Sequence, residues 1–236
     1  MVALDYSERV NFAFQQNSIP VLRRFEILNE TENDWYLVSC LIKPKPEWGE
    51  AHKIQVSHIP AGTSYTLDDV PLNLDLEYLA NLSERVRGEM RLKISVSETA
   101  PSDEEASEQD CIFDKSYPID VYANDEWTGI RAFPEILAAF VTPNLEVVEQ
   151  LLSNAAQILG KRTGSSDLDG YQAKSKKRVY EIIDAIYEAV RQQAISYSNP
   201  AASFEKTGQR VRFATQMMKS KLGTCLDLSL LFAALL

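Results

Sequence analysis

Histidine is nearly missing from this 236-residue chain: His52 and His58 are the only two. Chemistry in the second half that needs an imidazole base must therefore draw it from elsewhere. Cysteine is scarce as well. Cys40, Cys111 and Cys225 are odd in number and widely spaced, with no CxxC or Cys/His pattern, which excludes a disulfide framework and a zinc site. No apolar run approaches the roughly 18 residues of a membrane span. Met1 to Arg9 lacks the basic start and apolar block of a signal peptide. The expected location is cytoplasmic, away from membranes, and nothing in the sequence calls for a cofactor or a metal.

What is present is an ordinary globular composition, 45% hydrophobic and 25% charged, enough for one large or two small domains. The net charge of −10 is unevenly spread. Residues 1–122 hold 11 Lys and Arg against 22 Asp and Glu, whereas 123–236 hold 13 against 12. An acidic first half is unsuited to a nucleic-acid groove, because phosphate binding depends on neutralisation by Lys and Arg. The basic cluster Lys174, Lys176, Lys177, Arg178 opens a predicted helix and reads as a solvated face.

From Arg9 to Val121, apolar-rich runs alternate with turn signals such as Gln16-Asn17-Ser18 and Pro60-Ala61-Gly62. The runs 9–14, 20–29, 35–43, 52–58, 63–74, 86–97 and 111–122 predict an immunoglobulin-like antiparallel β-sandwich over 1–122, with a short helical turn within 74–82. Residues 97–110 carry six acids and no large apolar side chain, which predicts a hairpin loop. Cys40 and Cys111 are expected in the core. His52 and His58, six apart, are expected on one strand face, exposed.

Beyond Gly129 the apolar period changes from two to about 3.6, so 123–236 is predicted to be a second, helical domain and the whole chain an α+β protein of two domains. A short helix is expected over 134–141 and a longer one from a Thr142-Pro143 cap to about Leu159. Another is expected over 175–195, with Val179, Ile182, Ile183, Ile186 and Val190 as its buried stripe and Tyr180 and Tyr187 packed beside it. An extended segment, 195–204, and a short helix, 214–222, lead to the last stretch, Gly223 to Leu236. There, Thr224 and Asp227 form a capping-box pattern, which puts Cys225 in the first turn of an almost wholly apolar helix predicted to lie at the centre of its domain. Unpaired N–H groups and the positive end of the helix dipole favour a thiolate at that place, while Asp227 opposes it. The chain stops in mid-helix on two leucines, as a piece of a longer protein would.

A short helix, Gly-x-Cys and a long apolar helix resemble the core of the transglutaminase-like, papain-related superfamily. The runs Gly170-Tyr171-Gln172, Tyr197 to Glu205, Gly208 to Arg212 and Leu222 to Leu228 further resemble the N-terminal region of large bacterial helicase-related proteins. The resemblance spans essentially the whole chain. It implies a β-sandwich, then the helical N-terminal half of a transglutaminase-like cysteine-hydrolase domain, truncated before the strand that carries the histidine and before the acid that orients it. Cys225 would be the catalytic nucleophile, and Gln209 or Tyr197 would help form an oxyanion site. The partners implied are the downstream helicase domains of the parent protein and a protein or peptide ligand, with nucleic acid reached only through the missing domains. Whether the parent is an enzyme stays open, and this chain alone would be inactive. The alternative is a non-catalytic interaction module or scaffold with Cys225 as a buried structural residue.

Overall fold

The computed structural model describes residues 1–100, 109–129, 134–170, 172, 174–200 and 208–236. The chain is of α+β type and divides into two compact units, Met1–Asn124 and Asp125–Leu236. Residues 101–108 of the predicted hairpin loop, Tyr171 and residues 201–204 of the predicted extended segment fall outside the described residues.

In the first unit, β1 (Val2–Tyr6), β3 (Leu22–Leu28) and β6 (Ser64–Val70) form a three-stranded antiparallel sheet in the order β1-β3-β6. The second sheet has the order β2-β8-β7-β4-β5, built from β2 (Arg9–Val10), β4 (Trp35–Lys45), β5 (His52–Ile59), β7 (Val86–Ser97) and β8 (Asp110–Val121). Its ladders are antiparallel except the short β2/β8 pair. Alternation of side chains explains the pattern: in β7, Gly88, Met90, Leu92, Ile94 and Val96 are buried while Arg87, Arg91 and Lys93 are exposed. Phe25, Ile27, Val38, Cys40, Ile42, Ile94 and Ile119, drawn from both sheets, are at most 1% exposed.

Three local expectations are corrected here. The run 9–14 pairs only over Arg9–Val10, because the Asn11 side chain accepts from the Ala13 N–H at 3.0 Å and turns the chain into α1 (Ala13–Gln16). Strand β1 went unread, its short alternation hidden at the start of the chain. Cys111 is exposed and belongs to no core, whereas burial pushes the Cys40 thiol up to about 12. The predicted helical turn is present as α2 (Leu76–Asn81), capped by the Asp75 carboxylate. Both histidines lie on β5, and His58 meets Asp34 at 2.9 Å while stacking on Tyr36.

The second unit is built on helices. A 3-10 turn over Pro134–Phe140 precedes α3 (Glu146–Thr163), α4 (Lys176–Arg191), α5 (Ala214–Ser220) and α6 (Cys225–Leu235). Val148, Leu151, Ala155 and Leu159 of α3 pack with Ala185, Ile186, Ala189 and Val190 of α4, joined by Met217 of α5 and by Leu231 and Leu235 of α6. Helix α3 runs one turn past Gly160 and ends at Gly164, whose φ of +83° provides the left-handed C-cap. It also starts later than the Thr142-Pro143 cap predicts, at Leu145, without a side-chain cap. The buried stripe of α4 is rotated from the predicted one. Small Ala185 and Ala189 face α3, leaving Val179, Ile183, Tyr180 and Tyr187 exposed, with the Tyr187 ring stacked on Phe232. No described helix is long and apolar enough to cross a membrane.

Candidate functional site

Three two-residue strands bring the candidate residues to the start of α6. Strand β10 (Ser196–Tyr197) runs parallel to β12 (Leu222–Gly223), pairing Tyr197 with Gly223, and the Ser198 N–H donates to the Gly223 carbonyl at 2.8 Å. Gly223 sits at a close approach: a Cβ there would stand 3.0 Å from the Met217 sulfur. Immediately after it the chain enters α6 through the predicted capping box. The Asp227 N–H donates to Thr224 Oγ1 at 3.2 Å, and the Thr224 N–H donates to Asp227 Oδ2 at 2.8 Å.

Asp227 does more than cap. It is fully buried, yet both oxygens are engaged: Oδ1 accepts the Arg212 backbone N–H at 2.8 Å, and Oδ2 also meets the Arg212 guanidinium at 3.2 Å. The carboxylate expected to oppose a thiolate is therefore already neutralised by a guanidinium and two peptide N–H groups. Sequence reading found the cap but missed Arg212, fifteen residues upstream, for which spacing offers no signal.

Cys225, the first residue of α6, is exposed and free. The burial of Cys225 expected under the non-catalytic alternative is therefore not found. Helix α6 is also not buried on all sides. Asp227, Leu230, Leu231 and Leu235 are buried, whereas Cys225, Ser229 and Ala233 line its open face. The Tyr197 side chain lies near Cys225, across the Tyr197–Gly223 pairing. The charge of Cys225, with smaller help from burial, holds the Tyr197 phenol above the ordinary tyrosine value. Replacing Cys225 with alanine is thus expected to lower the Tyr197 titration toward the ordinary value of about 10. Ring-labelled tyrosine NMR, with Tyr197→Phe to assign the signal, measures this. An unmoved titration would separate the two groups.

Gln209 sits in β11 (Gln209–Arg210), antiparallel to β9 (Glu126–Trp127), with Gln209 opposite Trp127. It is 7% exposed, and neither its amide oxygen nor its amide nitrogen has a hydrogen-bond partner among the described residues. Buried amides are nearly always paired, so this one is a reserve of both donors and acceptors. Gln209 lines a pocket of about 480 Å³ together with Asp125, Asn199, Arg212, Gln216 and Thr224. Thr224 directly precedes Cys225, so the pocket opens beside the nucleophile position. The structure therefore places Tyr197 near Cys225 and Gln209 in the adjoining pocket. Neither histidine belongs to this unit, and among the described residues no group of His, Cys, Asp and Glu is placed to hold a metal ion.

Set against the models of known protein families and against curated proteins, the chain matches none.

Proposed function

We propose that the 125–236 unit is the nucleophile-bearing part of a transglutaminase-like cysteine hydrolase, with Cys225 attacking an amide or ester carbonyl. In this reading the 1–124 unit is an immunoglobulin-like sandwich, and the two together form the recognition and regulatory N-terminal region of a helicase-related protein. The observation that carries the reading is the placement of an exposed thiol at a capped helix N-terminus. The phenol of Tyr197 lies near its sulfur, and a buried carboxamide without a partner among the described residues stands in the adjoining pocket.

The chemistry divides accordingly. Peptide N–H groups of the first turn, directed out of the helix, stabilise the thiolate and then the oxyanion that forms as sulfur adds to the carbonyl carbon. The Gln209 amide N–H, or the Tyr197 hydroxyl, supplies a further donor to that oxygen. Engagement of Asp227 by Arg212 keeps its charge from raising the cost of the thiolate. Residues 125–236 contain no imidazole, so the proton of the thiol and that of the leaving group must pass to a base from another segment.

The three cysteines make an internal test. At mildly acidic pH, iodoacetamide is expected to alkylate Cys225 about tenfold faster than Cys111, which is equally free and exposed, because only Cys225 stands at a helix N-terminus. Cys40 is expected to stay unmodified. Peptide mass spectrometry over a time course reads all three rates at once. Equal rates at Cys225 and Cys111 would remove the activated nucleophile and with it the hydrolase reading.

A further inference from the structure

The charge of the first unit is sharply divided in space. Residues directly opposite in an antiparallel ladder share one face. The registers place Lys53 beside Leu41, Leu41 beside Lys93, and Lys93 beside Asp114 in one continuous row across β5, β4, β7 and β8. Along the same face Lys43 lies opposite Arg91, Lys45 opposite Glu89 and Arg87 opposite Asp120. Six of the 11 basic residues of this unit therefore stand on the outward face of four strands, against three acids, Glu89, Asp114 and Asp120. That face carries +3. The other described residues of the unit, 5 basic (Arg9, beside Asp120 on β2, among them) and 15 acidic, carry −10.

The arginines on this face are already satisfied, Arg91 by a two-pronged bond to Asp114 at 2.7 Å and Arg87 by Asp120 at 2.9 Å. The lysines are not. Lys43, Lys45, Lys53 and Lys93 are exposed, and none makes an ion pair with a described residue. Lys93 and Lys45 both add to the fields that hold the Asp114 carboxyl below its usual range, after the dominant Arg91 bond, which agrees with their converging on one side of the sheet. Leu41, 37% exposed, sits in the middle of the lysines.

We propose that this sheet face is a docking surface for a short acidic polypeptide segment that carries an apolar side chain to cover Leu41. Four unpaired ammonium groups about a single aliphatic side chain complement carboxylates spaced along an extended strand with one apolar residue among them. A long polyanion fits worse. Outside this face the other described residues of the unit, at −10, repel it. The surface is independent of Cys225 and of the hydrolase reading, so either can fail without the other.

Fluorescence anisotropy of the full chain tests it, using a blocked, labelled peptide of Asp, Glu and Leu as the probe. A short single-stranded oligonucleotide and phosphatidylserine vesicles are the competing anions. The peptide is expected to bind with an affinity that falls as salt rises. Combined Lys43→Glu, Lys53→Glu and Lys93→Glu is expected to weaken it about tenfold or more, through exposed positions that leave the far-ultraviolet circular dichroism unchanged. Leu41→Ser alone is expected to cost about threefold. Reversing Lys174, Lys176 and Lys177 in the other unit is expected to change it less than about twofold. Tighter binding of the oligonucleotide or the vesicles through the same three lysines, no binding of the peptide, or peptide binding that survives the triple reversal would each overturn the proposal.

Discussion

Replacing Asp227 with alanine is expected to destabilise the 125–236 unit by about 3 kcal/mol, the sum of a lost helix cap and two buried peptide donors left without acceptors. The carboxylate is fully buried and accepts from the N–H groups of Thr224 and Arg212 as well as from the Arg212 guanidinium. The guanidinium itself, 37% exposed, can return to water, which holds the cost below that of a wholly buried ion pair. Asp227→Asn keeps the shape and one acceptor oxygen, and so should lose less than the alanine variant. Urea unfolding followed by circular dichroism, with hydrogen exchange at Thr224 to Leu228, gives both numbers. A loss below about 0.5 kcal/mol for the alanine variant would mean that the cap is not what holds the start of α6.

Gly208→Ala is expected to have an effect of similar size, about 3 kcal/mol, from a different source. Gly208 has a φ of +79°, and a Cβ built on it would stand 2.0 Å from the Trp127 carbonyl oxygen. That overlap cannot be absorbed by a side-chain rotation, because the obstructing atom is backbone. The β9–β11 pair would have to separate, taking with it the Gln209–Trp127 register and the Val211 N–H bond to the Asp125 carbonyl at 2.6 Å. The readout is amide exchange at Arg210 and Val211, which should accelerate while α3 and α4 stay protected. Unchanged exchange at Val211 would show that the pair tolerates the methyl group.

The long strands were legible because their period is local. Run 86–97, and run 35–43 beyond the bulge at Leu37, alternate buried and less buried residues, and β4 and β7 occupy nearly those bounds. The capping box was legible for the same reason, since Thr224 and Asp227 bond to each other across three positions. What escaped depends on partners far away in sequence. Two of the five predicted stripe residues of α4 were misassigned because Val179 and Ile183, large and apolar, look more buried than Ala185 and Ala189, whereas α3 approaches on the alanine side; Ile182, Ile186 and Val190 do pack into the core. Strands β9 to β12 are two residues each and have no period to detect. Cys225 could be singled out from its own neighbourhood. Its nearness to Tyr197, twenty-eight positions upstream, and the pairing of Asp227 with Arg212 could not.

The separation of charge on the first unit also governs how the protein behaves before it touches anything. With +3 on one sheet face and −10 over its other described residues, the unit has a permanent electric moment as well as a net charge. Such a body turns as it drifts in a field. A sulfonate resin, whose charge has the same sign as the protein's total, would still capture it sheet-face first at low ionic strength, within a Debye length of the surface. Immobilised that way, every molecule would present the same side to solution.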